Sequence, residues 1–180
     1  MDEGAPRLWK RAPDPDRTPE EGPRLADPLP LHVVLDNVRS AFNVGSMFRT
    51  AEAARVSHLH LCGITPHPPH PQLDRTALGT AFRVPWTHHR HTRDAIEALR
   101  AEGIRIHAVE ITPGARPLRE APLPQPGALV FGHEVAGIDP ELLALADEVV
   151  QVPMWGRKNS LNVAVVFGIV VFDTIGRWGY

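Results

Sequence analysis

Two hydrophobic periods take turns along this chain of 180 residues. Leu31 to Leu35 (LHVVL) is a short apolar run that passes into Asp36, Asn37 and a polar loop through Ser40, the pattern of a buried strand ending at a turn. From Asn43 the apolar positions Val44, Met47, Phe48, Ala51 and Ala54 recur at helical spacing. A helix is expected there, with Gly45, Arg49 and Glu52 off its core stripe and Arg49 in its second turn. His58 to Ile64 (HLHLCGI) alternates as a second strand. A Pro- and His-rich loop (Thr65 to Gln72), a short helix or turn (Thr76 to Ala81) and a short strand (Val84 to Trp86) follow. Thr92 to Glu102 suits a helix with Ala95, Ile96 and Leu99 inward and Gly103 as its stop, and Arg105 to Ile111 a further strand. Beyond a Pro-punctuated connector, Thr112 to Gly127, Ala128 to Phe131 reads as a buried strand, and Asp139 with Pro140 opens a helix through Ala146.

The stretch Gln151 to Val166, QVPMWGRKNSLNVAVV, sets a tight loop between two strongly apolar segments. Val149, Val150 and Val152 read as a strand end and Pro153 and Gly156 break it, while Ser160 can cap a helix running from Leu161 to about Ile175. That helix is apolar nearly all round, so it must be covered on more than one side, by a subunit interface or by deep burial within one chain. Strands alternating with helices predict an α/β fold, a mostly parallel sheet flanked by helices. The loops after Leu35, Phe131 and Val152 then leave carboxyl ends of strands, where such sheets bind ligands.

Composition narrows the function classes. With 43% apolar residues, the chain can bury one sizeable core, expected over residues 29–180. Residues 1–28 are rich in Pro, Asp, Glu and Arg and are expected to form a mobile arm; Arg7, Trp9, Lys10 and Arg11 would serve an alternative docking role. A net charge of -2 gives no bulk basic field, so nucleic-acid binding must rest on a local patch. His88, His89, Arg90, His91 and Arg93 form the most basic cluster, either a solvated helix entry or a phosphate contact. One cysteine, Cys62, excludes an intramolecular disulfide and reads as a core thiol in a reducing compartment. No apolar run reaches membrane-spanning length and residues 1–30 lack a signal-peptide centre, so a cytoplasmic protein is expected. His67 and His70 have no carboxylate or thiolate to complete a ligand set, and no metal is expected. Neither a G-x-G-x-x-G nor a P-loop sequence is present.

Three ordered segments carry a more specific signal. D-N-V-R-S-A-F-N-V-G-S-M-F-R-T-A (Asp36 to Ala51), F-G-H-E-V-A-G-I (Phe131 to Ile138) and V-P-M-W-G-R-K-N-S-L-N-V-A-V (Val152 to Val165) resemble the three motifs of the SpoU (TrmH-like) RNA 2′-O-ribose methyltransferases of the SPOUT class. The resemblance runs from about Leu31 to the C-terminus. It implies a deep trefoil knot in the C-terminal part, a homodimer built through the knot region, and S-adenosylmethionine held largely by backbone groups of the second and third motifs. By motif position the cofactor residues are Gly132, Val152, Met154, Leu161 and Asn162. The implied catalytic set is Arg49, Asn43, Glu134, Ser160 and Asn162, acting on a ribose 2′-hydroxyl of tRNA or rRNA. Asn43 and Ser160 are at the same time candidate helix caps, and Glu134 a candidate loop-shaping partner. Two positions depart from the pattern: Ala164 stands where Ser is common, and His133 where Asn, Ser or Pro is usual. Two other readings stay open, a catalytically silent knotted RNA-binding protein and a methyltransferase acting on a base or small molecule.

Overall fold

The computed structural model describes residues 27–180, so the expected arm lies almost wholly outside the described residues. Seven strands and five helices alternate: β1 (Leu29–Asp36), α1 (Ala41–Ala53), β2 (Val56–Cys62), α2 (Pro71–Ala77), β3 (Trp86–His89), α3 (Thr92–Ala101), β4 (Arg105–Val109), β5 (Arg116–Pro117), β6 (Gly127–Phe131), α4 (Pro140–Leu143), β7 (Glu148–Gln151) and α5 (Val163–Arg177). The sheet order is β3-β2-β1-β6-β4-β7-β5 and every pairing is parallel. The α/β expectation therefore holds, and all strands deliver their carboxyl ends to one rim.

Side-chain alternation splits the core between the two faces of the sheet. Leu31, Val33 and Leu35 of β1 join Leu59, Leu61, Leu129 and Phe131 under α1, α2 and α5. Val34, Cys62, Ile106, Ala108 and Val130 face the other way, beneath Ala95, Ile96 and Leu99 of α3. All five residues of β6 are buried, as a central parallel strand covered on both faces requires. Phe167 of α5 packs on Phe131 with ring centroids 5.1 Å apart. Cys62 is a core thiol, its pKa pushed up to about 12 by burial.

Several elements begin or end elsewhere than periodicity predicts, each for a local reason. Helix α1 starts at Ala41, because Ser40 and not Asn43 is its cap, accepting from the Asn43 N–H at 3.3 Å. This puts Arg49 in the third turn. Helix α2 occupies Pro71–Ala77, earlier than the expected Thr76 to Ala81, with Pro71 in its first turn and His70 as its cap. His88 and His89 belong to β3, which runs beyond the expected Trp86, so they are strand residues and not a helix entry. Helix α4 closes at Leu143, short of Ala146. The connector after β4 is partly ordered: β5 pairs with β7, and Arg177 and the Trp178 indole donate to the carbonyls of Leu118, Ala121 and Leu123. Finally α5 is buried on one side only, through Phe167, Val170, Val171, Thr174 and Ile175, while Val165, Ile169 and Phe172 stay exposed.

Gly45 proves to be a core position and not a solvent-facing one. A Cβ there would lie 2.0 Å from Thr76 Oγ1 and 2.4 Å from the Leu73 carbonyl oxygen, so α2 rests directly on the α1 backbone. Gly45→Ala is expected to cost roughly 1–3 kcal/mol by overpacking, seen as a lower urea midpoint at unchanged slope. An unchanged midpoint would show that α2 does not press on Gly45.

Candidate active site

The rim at the carboxyl ends of the strands holds a cavity of about 680 Å³, within the size range of small-molecule sites. Its walls come from the ends of β4 and β6, the loop after β6 (Gly132 to Ile138), and the loop between β7 and α5. Gly132, Glu134, Val152, Met154, Ser160, Leu161 and Asn162 all line it, so the second and third motif segments meet as expected. Among the described residues the backbone groups of Val152, Met154 and Leu161 enter no hydrogen bond. Unsatisfied N–H and C=O groups on a cavity wall are ready to hold a ligand by main-chain contacts. A polar adenosyl group of S-adenosylmethionine fits such a wall.

The loop after β6 owes its shape to two residues. His133 Nδ1 accepts from the N–H groups of Val135 (3.0 Å) and Ala136 (3.1 Å), and the His133 and Gly137 main chains pair reciprocally. Glu110, at the end of β4, accepts from Ile111 N–H at 2.8 Å and from Ile138 N–H at 3.0 Å. Gly137 has φ +71°, and a Cβ on it would fall 2.5 Å from Glu110 Oε2, so glycine is required there on both counts. Sequence reading placed Glu110 inside a strand and assigned it no role; an acidic residue closing an apolar strand at the ligand rim was the available signal.

The first motif segment is joined to the other two by a chain of hydrogen bonds. Arg39 N–H donates to Glu134 Oε2 at 2.9 Å, and Ser40 N–H to Oε1 at 3.0 Å. Asn43 Nδ2 donates to Glu134 Oε1 at 2.9 Å, which turns its Oδ1 outward to accept from Asn162 Nδ2 at 3.2 Å. Asn162 Oδ1 in turn accepts from Ala164 N–H at 2.9 Å, so Asn162, and not Ser160, caps α5. Ser160 is exposed on the cavity wall and hydroxyl-free of the cap, left for a ligand. Arg49 is exposed on α1 and does not line the cavity; among the described residues it makes no ion pair. Six residues separate it from Asn43, about 9 Å along the helix axis. His70 caps α2 and His67 stacks on Trp86, and among the described residues no group of three His, Cys, Asp or Glu is arranged to hold a metal ion.

Burial by itself would raise the Glu134 carboxyl. The N–H groups of Arg39, of Glu134 itself and of Ser40, with the Asn43 amide, outweigh that and hold its pKa below the ordinary glutamate value. A depressed carboxyl stabilises the folded state above its unfolded-state pKa, and the contribution is lost as pH falls through the folded-state value. Urea unfolding of the wild type and Glu134→Gln should therefore show a stability gap at pH 7 that closes below about pH 4. A gap independent of pH would mean that the charge plays no part.

Comparison with known proteins places this arrangement. The SpoU rRNA Methylase family model matches residues 30–172. A tRNA (guanosine(18)-2'-O)-methyltransferase of Thermus thermophilus is 32% identical over 143 residues, 79% of this chain and 73% of that protein. A 23S rRNA (guanosine(2553)-2'-O)-methyltransferase of Bacillus subtilis is 34% identical over 144 residues, 80% of this chain and 57% of that protein. An AdoMet-bound rRNA methyltransferase from Sinorhizobium meliloti superposes with a TM-score of 0.77 at 33% identity, covering 82% of this chain and 56% of that one. This chain thus spans less than two thirds of the Bacillus and Sinorhizobium proteins. The family match runs from β1 into α5 and takes in every side chain that links the three motif loops: the chain belongs to the SpoU rRNA methylase family.

Proposed function

We propose that the protein transfers a methyl group from S-adenosylmethionine to a ribose 2′-hydroxyl of tRNA or rRNA. The observation that carries this reading is the chain Asn162–Asn43–Glu134, which ties a candidate acceptor-side helix to the mouth of a cavity lined by unpartnered backbone groups. Relatives named as tRNA and rRNA 2′-O-methyltransferases, and a similar rRNA methyltransferase structure with AdoMet bound, support it. A silent knotted binder would have no need to keep Asn43, Glu134, Ser160 and Asn162 together.

S-adenosylmethionine supplies a methyl group on a sulfonium centre. In the reaction the sulfur–methyl bond would break as the bond to the 2′-oxygen forms, the sulfur keeping the electron pair as the thioether S-adenosylhomocysteine and the hydroxyl proton passing to water. The protein must therefore hold donor and hydroxyl in line and favour the charge that develops on oxygen. Backbone groups of Gly132, Val152 and Leu161, with Met154 beside them, would hold the donor. Asn43 and Asn162, fixed by Glu134, would orient the acceptor, with Ser160 at the same wall. Arg49 is assigned the acceptor side: a guanidinium keeps its proton, so its role is to grip phosphate and stabilise the developing alkoxide.

The same reading includes a homodimer and a trefoil knot. Val165, Ile169 and Phe172 recur along one side of α5 and remain exposed, as do Leu161 just before it and Phe42 of α1. A second copy covering that stripe would bury it by a two-fold contact. For the knot, the support is connectivity: the chain leaves β6, passes outward beyond β4 to β7, and returns through residues 152–162 to lay α5 on α1 and β6. A cytoplasmic setting suits an RNA substrate; among the described residues no helix is long and apolar enough to cross a membrane.

Labelled methyl transfer to purified tRNA and rRNA, with calorimetric titration of the donor, tests the assignment. Arg49→Ala should lose turnover by about two orders of magnitude or more while binding the donor like the wild type. Asn162→Ala should weaken both. Full activity in the Arg49 variant would remove it from the mechanism.

A further inference from the structure

Trp155 is the most conspicuous side chain that the reaction scheme leaves unused. It is 95% exposed, whereas the other described tryptophans, Trp86 and Trp178, are half-buried, one stacked on His67 and the other donating to the Leu123 carbonyl. A large aromatic ring left in water forgoes the burial that normally accompanies it. Its position is specific: it follows Met154, which lines the cavity, and precedes Asn159, Ser160 and Leu161, which line it too. Four residues separate Trp155 from Asn159, a reach of at most about 14 Å. Arg157 and Lys158 share the loop, are exposed, and make no ion pair among the described residues. Across the cavity mouth the loop after β6 exposes Val135 to 90%.

One ligand chemistry uses all three side chains at once. A flat ring offers its face to a nucleobase, and two cations beside it match the phosphates on either side of that base. A peptide or lipid surface would use the ring and the cations but has no reason to sit at the mouth of a methyl-donor cavity. We propose that Trp155 is a stacking platform for a base next to the methylated ribose, with Arg157 and Lys158 gripping the flanking phosphates. This rests on the RNA methyltransferase reading above and adds to it the element that seats the substrate strand. Stacking is tolerant of base identity, so the platform contributes affinity and position more than sequence choice. From the sequence this loop carries donor-binding and catalytic candidates, with no role for Trp155; the ring's exposure is visible only once the loop is folded.

The test uses the full chain and Trp155→Ala and Trp155→Phe variants, with total tRNA plus rRNA as acceptor. Trp155→Ala should raise the apparent KM for RNA roughly tenfold or more, the loss expected for one base–aromatic stack. Trp155→Phe should recover most of it. Affinity for S-adenosylmethionine, by calorimetry, and the sedimentation coefficient should not change. An unaltered RNA KM, an equal loss of donor affinity, or a change of oligomeric state in Trp155→Ala would each overturn the proposal, the last by showing the ring to be a contact between copies. Were the wild type to transfer no methyl group to any RNA, the function reading would fail separately. The platform would then still be decided by whether RNA quenches the tryptophan fluorescence of the wild type but not of Trp155→Phe.

Discussion

A single carboxylate holds the site together. Glu134 accepts from the N–H groups of Arg39 and Ser40, just before and at the cap of α1, where the positive end of the helix favours a negative charge. Because its second contact is the Asn43 amide, the orientation of that amide is set, and with it the acceptor presented to Asn162. The first motif segment, 91 residues from Glu134 and 119 from Asn162 counted at Asn43, is thereby joined to the other two. The helices themselves do not depend on this link, since Ser40 caps α1 and Asn162 caps α5 independently of it. What depends on it is the relation between the cavity and the first motif.

The parallel sheet makes such convergence possible. With every strand running the same way, the loops after β1, β4, β6 and β7 all open on one rim, and a ligand placed there is reached from several segments at once. Glu110 shows how strongly the rim is built: its carboxylate holds two main-chain N–H groups and lies against Gly137, where no side chain would fit. The order β6-β4-β7 lets the chain cross beyond β4 before α5 comes back, so the loop between β7 and α5 is anchored on one side by Val150 and on the other by Phe167, Val170 and Val171 in the core.

Much of this was legible in the amino-acid sequence, but unevenly. Buried strands such as Leu31 to Leu35 and Ala128 to Phe131 announce themselves as apolar runs, and the helical stripe of Val44, Met47, Phe48 and Ala51 is buried as its spacing predicts. Seven of the site residues expected from the motif segments line one cavity. Helix starts were displaced because capping is decided by one hydroxyl or amide: Ser40 and Asn162 take the roles expected of Asn43 and Ser160, so that Asn43 joins Glu134 to Asn162 and Ser160 lies on the cavity wall. Gly45, expected off the core stripe of α1, is a contact point because α2 crosses there, a tertiary fact without a trace in α1. Arg49 stands on the helix expected of it yet apart from the cavity, since a helical repeat fixes a residue's own face and not what approaches it.

The central claim is that the methyl group goes to a ribose oxygen of RNA. The most direct measurement is methylation of total tRNA and rRNA with isotopically labelled S-adenosylmethionine, digestion to nucleosides, and mass spectrometry with fragmentation of the glycosidic bond. The label is expected on the ribose fragment of a nucleoside, and after alkaline hydrolysis of a parallel sample in a dinucleotide, because a 2′-O-methyl group blocks cleavage of the adjacent phosphodiester. Label on the base fragment, or donor binding with no transfer to either class of RNA, would contradict it.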